Sequence, residues 1–267
     1  MEAQLQTVKN LGLPNCFLKY FPKQIAIIGK ILVKSPEDLF KILDNFNDTG
    51  RTINGMKTIY LSLYNLEIKQ EPNSCCIMDT GEAHFCNANI DKIHFDLDNN
   101  RARKTALRLL FYCLKNNYKC LVVCSGKDKP LHFHFYLFTK NYDKLNNPKS
   151  ALWLAQHSII EEINKDLPEE EKLTIGQGSI CDVDAKLIGD VTRVVRLINT
   201  RHLESLLYCI PVTLEDILQG EKFLISKMQR QNFSFTFYGT DYFDISKFNN
   251  NNLIQEKIRL VTLSNEE

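Results

Sequence analysis

Two aspartates close an otherwise apolar segment, residues 93–98 with the sequence IHFDLD. The alternation of apolar and polar side chains predicts a strand, with Asp96 and Asp98 on the same face and about 7 Å apart. Like charges this close repel each other unless a cation neutralises them, and open oxygen sites of this kind suit Mg²⁺ or Mn²⁺. The pattern indicates a divalent-metal site, and the competing interpretation is a solvated strand end.

A second group, residues 125–132 with the sequence SGKDKPLH, has the composition of a triphosphate-binding turn. Such a turn offers backbone N–H groups, Lys127 and Lys129 supply positive charges, and His132 supplies an imidazole donor. Ser125 adds a small hydroxyl. His134 shares a strand face with His132, so one histidine is expected to face the ligand and the other to be structural. The alternative is a charged hairpin turn.

The third group lies within residues 182–202. Asp182 or Asp184 would add a third carboxylate, and Arg196 and His202 would hold phosphate oxygens. A cationic side chain inside an apolar strand needs a counter-charge or a ligand, because burying it alone is costly. Packing alone therefore explains this segment poorly, although Arg193 also fits an outward-facing, solvated position.

The three groups are joined by a regular succession of predicted elements. Hydrophobic periodicity predicts strand 92–98, helix 101–116, strand 120–124, tight connection 125–130, strand 132–138, helix 148–163 and strand 191–198. This β-α-β-β-α-β order predicts the α+β class with an RRM-like split βαβ core, an antiparallel sheet with both helices on one face. The opposite face, with Asp96 and Asp98, is then free to carry chemistry.

The sequence divides into three predicted parts around these elements. Residues 1–90 form an N-terminal α/β module, with a helix capped by Ser35. Residues 91–240 form the catalytic core, which continues through a strand at 206–212 and a helix at 213–228 capped by Thr213. Residues 241–267 form a polar, Asn-rich tail, which we expect to be loosely held from Phe243 onward.

Composition excludes several classes of protein. The 267 residues carry 33 Lys+Arg against 32 Asp+Glu, so binding of nucleic acid must depend on a local patch. No apolar run approaches the ~18 residues that span a bilayer, so no membrane partner is expected. Neither Gly-Lys pair fits a P-loop, which argues against a Walker-type NTPase. Several of the nine cysteines lie in apolar runs, which favours reduced thiols and a cytoplasmic location.

Together, the three groups resemble the archaeo-eukaryotic primases, a superfamily that includes primase small subunits and primase-polymerases. The family signature is a strand with DxD, an SGxxGxH-like element, and a hydrophobic residue with Asp followed by RLIRLP-like and SLH-like segments. The corresponding segments here are IHFDLD (93–98), SGKDKPLH (125–132) and VDAKLIGDVTRVVRLINTRH (183–202). The resemblance covers about residues 90–212, where order, spacing and predicted elements agree.

The resemblance implies a DNA primase or primase-polymerase that works by two-metal nucleotidyl transfer. It assigns two Mg²⁺ or Mn²⁺ ions to Asp96, Asp98 and Asp184, with Asp182 as a substitute for Asp184. It assigns the triphosphate to Ser125, Lys127, Lys129, His132, Arg196 and His202. The implied partners are a single-stranded DNA template and NTPs or dNTPs, with a primase large subunit or a replicative helicase as further candidates. Association with the nucleoid would follow from such a function.

Two other functions remain open. His132-Phe133-His134 matches the His-hydrophobic-His pattern of rolling-circle replication endonucleases, and the closest match to their catalytic YxxxK segment starts at Tyr136. The second alternative is a non-catalytic single-strand-binding replication accessory. The retained carboxylates disfavour it, because idle like charges destabilise a fold.

A candidate zinc site lies outside the three groups. Cys75, Cys76, His84 and Cys86 are suitable ligand types, but their spacing lacks a C-x₂-C pair. The alternative is a turn with buried thiols.

Overall fold

The structure is a computed structural model that describes residues 13, 15–18, 21, 23–26, 30–39, 41–42, 59–64, 66–67, 87–176, 181–185, 188–202 and 204–249. Within these ranges the chain is an α+β protein with mainly antiparallel strand pairs, in agreement with the predicted class. The candidate zinc ligands Cys75, Cys76, His84 and Cys86 lie outside the described residues. No helix in the described ranges is long and apolar enough to cross a bilayer.

The strands of the described chain are, in order, β1 (Lys23–Ala26), β2 (Lys30–Val33), β3 (Tyr60–Ser62), β4 (Leu66–Glu67), β5 (Asn87–Ala88), β6 (Lys92–Leu97), β7 (Cys120–Asp128), β8 (Leu131–Lys140), β9 (Ile175–Gly176), β10 (Val183–Asp184), β11 (Val194–Arg196), β12 (Ile210–Val212) and β13 (Phe243–Asp244). The α-helices are α1 (Asn15–Leu18), α2 (Ala102–Lys115), α3 (Pro148–Lys165), α4 (Leu214–Gln219) and α5 (Glu221–Lys227). Residues 36–39 and 41–42 are also helical, and Ser35 caps them as predicted, because its Oγ accepts the Asp38 N–H at 3.2 Å.

The central sheet has the strand order β12-β7-β8-β6, with β13 against the end of β8. Both β6 and β7 pair antiparallel with β8, in a register that sets Asp96 directly opposite His134. Helix α2 forms where predicted, because its buried residues recur at helical spacing and pack against all three strands. These residues are Ala102, Thr105, Ala106, Leu109, Leu110 and Cys113.

The face of β6 that carries Lys92, His94 and Asp96 is open only at the C-terminal end of the strand. Lys92 is buried there, with its ammonium 5.5 Å from the centre of the Phe17 ring, and His94 is buried as well. Asp96 and Asp98, at the other end, line a cavity. The prediction of an open face is therefore wrong for the first half of the strand, because the N-terminal part of the chain packs over it.

The second sheet has the strand order β11-β3-β1-β2. Strand β11 pairs antiparallel with β3 and sets Arg196 opposite Tyr60. The strand predicted at 191–198 was expected to complete the central sheet, and this is wrong, since its regular part completes the N-terminal sheet instead. Part of the predicted split βαβ core is present: three of its strands, β6, β7 and β8, and its two helices, α2 and α3. The complete RRM-like arrangement is not confirmed.

Three predicted boundaries also differ. Strand β7 continues to Asp128, with an irregularity between Cys124 and Asp128, so the connection predicted at 125–130 is reduced to a turn at 129–130. Thr213 caps a helix as expected, but Gly220, with a φ of 94°, divides the predicted helix into α4 and α5. Phe243 and Ile245 are buried, so the tail predicted to be loose is packed over its described residues, up to 249.

Candidate active site

A polar cavity of about 190 Å³ lies between the central sheet and the N-terminal sheet. The central sheet lines it with residues from β6, β7 and β8, and the N-terminal sheet contributes β3 and β11. Residues predicted from the three sequence groups therefore meet in one place. They are Asp96, Asp98, Ser125, Lys127, His132, Arg196 and His202.

The carboxylates at this cavity repel one another. Burial raises the pKa of the Asp96 carboxyl, and Asp184 raises it further against the opposing effect of Arg193. The pKa of Asp98 is raised by partial burial and then by Asp96 and Asp184. Asp184, on β10, is thus close enough to act on both acids, although it does not line the cavity. A divalent cation would relieve this concentration of negative charge.

Asp182 has a different role, in the packing of α2. Its carboxylate is buried and accepts hydrogen bonds from Thr105 Oγ1 at 3.2 Å and from Thr174 N at 3.0 Å. It also lies 3.3 Å from Arg101 Nε, which belongs to the residue just before α2. These contacts leave Asp184 as the acid of this pair that acts on Asp96 and Asp98.

We expect Asp182→Ala to lower the free energy of unfolding by about 3 kcal/mol, because the buried donors around it lose their acceptor. Urea denaturation measures the effect. Asp166→Ala is the matched control, because Asp166 is exposed and pairs with the exposed Lys115, an arrangement that contributes little. An unfolding midpoint of Asp182→Ala equal to that of the control would contradict the structural role.

Arg193 also lines the cavity, where its Nη2 lies 3.5 Å from Asp96 Oδ2. The sequence left a solvated position open for this residue, and the structure shows an ion pair with a candidate catalytic acid instead. The available signal was the cost of a cation in an apolar segment, which calls for a counter-charge. The sequence did not show which acid would supply it.

Arg196 is fixed at the boundary between the two sheets. Its Nη1 donates to the Ser125 carbonyl, its Nη2 donates to the Tyr60 hydroxyl at 3.2 Å, and its guanidinium lies 5.5 Å from the centre of the Tyr60 ring. The Arg196 Nε and the Ser125 Oγ are buried and have no hydrogen-bond partner within the described ranges. Buried polar groups are usually satisfied, so these two unpaired atoms add to the polar character of the cavity wall that Ser125 and Arg196 form. Tyr60 was not predicted, because the pairing of β3 with β11 cannot be read from local sequence.

The two histidines of β8 have different surroundings. Burial, with a further effect of Lys127, lowers the pKa of His132 to about 4, and its buried Nε2 has no partner in the described part of the chain. His134 lies deeper, with its Nε2 3.7 Å from Asp96 Oδ1 and its Nδ1 3.5 Å from the Tyr136 hydroxyl. Burial lowers its pKa to about 3. Both rings are neutral at pH 7, and His132 Nε2 is without a hydrogen bond among the described residues.

These lowered pKa values predict acid sensitivity. The unfolded chain protonates His134 near pH 6.5, whereas the folded chain resists protonation until about pH 3. The contribution of His134 to the free energy of unfolding is therefore fully present above pH 6.5. It decreases as the pH drops, by up to about 1.4 kcal/mol per pH unit. We expect His134→Gln to give a shallower fall in unfolding free energy between pH 6.5 and 4 in urea titrations. The variant must be compared with the wild type, because the raised pKa values of Asp96 and Asp98 change stability with pH in the opposite direction. Equal slopes of unfolding free energy against pH in the two proteins would contradict the lowered pKa of His134.

His202 lines the cavity in a defined tautomer. Its Nδ1 accepts the N–H groups of Glu204 and Ser205 at 3.2 and 3.3 Å, so the proton of the neutral ring is on Nε2, which can donate to a ligand. Lys127 lines the same cavity. Lys129, which the sequence analysis grouped with it, lines a neighbouring cleft together with Arg103 instead.

Among the described residues, no three histidine, cysteine or acidic side chains converge closely enough to hold a metal ion by themselves. The acid side of the cavity therefore offers carboxylate oxygens but not a closed cage. Cages of that kind are typical of structural metal sites, whereas open sets of oxygen ligands are typical of ions that also bind a phosphate substrate.

Comparison with known proteins gives little further information. No protein-family model matches the chain, and no curated protein matches it. Among solved structures, one similar chain is the polymerase domain of Mycobacterium tuberculosis ligase D in complex with DNA. The TM-score is 0.43 and the sequence identity 12%, over 78% of this chain and 70% of that chain.

Proposed function

We propose that the chain is a DNA primase or primase-polymerase, which joins nucleotides from NTPs or dNTPs on a single-stranded DNA template. The observation that carries the proposal is a single cavity with acids on one strand and phosphate-binding groups around them. Nucleotidyl transfer requires both halves, because acids hold the ions and cations bind the triphosphate. An RRM-like split βαβ origin of β6, β7 and β8, with α2 and α3, is part of the same proposal.

We assign two Mg²⁺ or Mn²⁺ ions to the acid half of the cavity. Asp96 and Asp184 both raise the pKa of Asp98, which marks negative charge without enough compensation. Mg²⁺ commonly binds through one or two carboxylates, with water and substrate phosphates completing its shell, so the absence of a three-residue cage among the described residues is consistent with this assignment. When bound, such ions activate the strand's 3′-hydroxyl and neutralise the leaving pyrophosphate.

The chain's own residues would bind and orient the nucleotide. In the reaction, the 3′-oxygen forms a bond to the α-phosphorus, the bond from that phosphorus to the bridging oxygen breaks, and pyrophosphate leaves. Arg196 and Lys127 would offset the charge on the departing phosphates, and the neutral rings of His132 and His202 would donate hydrogen bonds. No protein nucleophile is required.

The rolling-circle endonuclease is disfavoured by the position of Tyr136. As the catalytic residue it would have to attack DNA, yet the side chain is 0% exposed. Its ring packs edge-on against Phe17, with 5.1 Å between the centroids, and lies 5.1 Å from His94. A hydroxyl enclosed in this way cannot reach a phosphodiester without unfolding the core.

A primer-extension assay tests the proposal, with single-stranded DNA template, labelled NTPs or dNTPs, and Mg²⁺ or Mn²⁺, with and without a primer. We expect template-dependent product that disappears when the divalent ion is chelated. Template binding without incorporation under every condition would contradict the proposal and favour the non-catalytic accessory. A covalent tyrosyl–DNA adduct on a denaturing gel would favour the endonuclease.

A further inference from the structure

A short hairpin, described for residues 199–202 and 204–209 and called the 199–209 hairpin below, packs beside the irregular part of β7. Its two arms are joined by backbone bonds between Asn199 N and Cys209 O at 2.6 Å and between His202 N and Leu207 O at 2.8 Å. At its tip, the His202 Nδ1 accepts the N–H of Ser205. The hairpin therefore carries His202 to the cavity on a turn that includes Ser205.

The irregular part of β7, residues 125–127, is the other wall at this place and is called the β7 bulge below. Gly126 has a φ of 88°, and a Cβ added to it would lie 2.7 Å from Leu207 O. Only glycine fits both the backbone conformation and this close approach of the two backbones. The two residues beside it, Ser125 and Lys127, both line the cavity.

Two side chains hold consecutive carbonyl groups of the β7 bulge. Arg196 Nη1 donates to Ser125 O, and the Ser205 hydroxyl donates to Gly126 O. The first contact ties the bulge to the N-terminal sheet through β11, and the second ties it to the hairpin that carries His202. Strand β12 already pairs with β7 beside the bulge, with Ile210 opposite Cys124, and the Ser205 contact adds a side-chain tie between the segments that carry Lys127 and His202.

We propose that Ser205 is a positioning residue, which locks the β7 bulge to the 199–209 hairpin so that Lys127 and His202 contact one nucleotide together. The inference rests on the proposed function for the nature of the ligand, a nucleoside triphosphate. Ser205 itself need not touch that ligand. Its effect is on affinity, because the bond transfer happens at the acids on the other side of the cavity.

Two variants and one control test the role of Ser205. Ser205→Ala removes the hydroxyl, Ser205→Thr restores it, and Ser234→Ala removes an exposed serine hydroxyl elsewhere. In primer extension we expect Ser205→Ala to raise KM for the nucleotide about fivefold, as loss of one neutral hydrogen bond allows, with kcat within about twofold. Ser205→Thr and Ser234→Ala should keep the wild-type KM. A fall in kcat without a change in KM would overturn the positioning role.

A second measurement does not depend on catalysis. Hydrogen exchange detected by mass spectrometry should show faster exchange over residues 125–128 in Ser205→Ala, and wild-type exchange in the other two variants. Unchanged exchange in Ser205→Ala would overturn the proposed lock. If the wild type binds no labelled NTP with Mg²⁺, the proposed function and the assigned ligand fall together. The exchange data would then still decide whether Ser205 holds the bulge.

Discussion

Replacement of Asp98 by asparagine is expected to abolish nucleotide incorporation and to leave the chain folded. The substitution removes one of the few hard oxygen ligands available to the divalent ions, and we expect a loss of at least about a thousandfold in kcat/KM, equivalent to about 4 kcal/mol. Asp96→Asn and Asp184→Asn should have similar effects. Primer extension with purified variants measures the loss.

Stability measurements separate this effect from unfolding. The pKa of Asp98 is raised in the folded chain, so its ionised form is disfavoured there and removal of the charge should not lower the urea midpoint. Asp143→Asn is the matched control, because Asp143 is exposed and lies outside the cavity. Full activity in Asp184→Asn would remove that residue from the metal site, and loss of activity in Asp182→Asn at an unchanged midpoint would transfer the role to Asp182.

The second large effect should separate His132 from His134. We expect His132→Ala to reduce incorporation by about 10- to 100-fold, since a hydrogen bond to a charged phosphate contributes about 1.5–3 kcal/mol. His134→Ala should have a mild effect, because the ring, although it also lines the cavity, already contacts Asp96 and the Tyr136 hydroxyl. Kinetics at saturating template and varied nucleotide concentration measure both variants.

This comparison also decides between the two enzyme classes. In a rolling-circle endonuclease both histidines would bind one metal ion, so both substitutions would be equally damaging. Equal loss in the two variants, together with a covalent adduct on nicked or single-stranded DNA, would overturn the primase interpretation. The buried position of Tyr136 gives the physical reason to expect no adduct.

Local patterns predicted the parts of the site that lie on regular elements. Asp96 and Asp98 follow from the alternation along β6, and α2 follows from the spacing of its buried residues. The register of β6 on β8 also brings His134 opposite Asp96, a relation that no local pattern contains. Pairing between strands depends on contacts that are distant in sequence, and for this reason local patterns assign the 191–198 strand to the wrong sheet.

Contacts between distant parts of the chain also explain why other residues at the cavity were not predicted. Tyr60 joins the site only because β3 pairs with β11, across more than 130 positions of the chain. Arg193 was ambiguous because a cation near a strand end is equally compatible with solvent and with a buried acid. Lys129 belongs to the same charged segment as Lys127, but it lines a different cleft, because it lies in the turn at 129–130, beyond the end of β7.

Because β11 pairs with β3, the residues around the cavity cannot be moved to another protein as one continuous segment of the chain. Arg196, which comes late in the chain, depends on Tyr60 near the beginning for its orientation. A graft or truncation that begins at residue 91 would carry the acids of β6 and the histidines of β8, but it would leave β11 without its hydrogen-bonding neighbour. The two sheets must therefore be kept together in any engineered version of the chain, since each contributes residues to the same cavity.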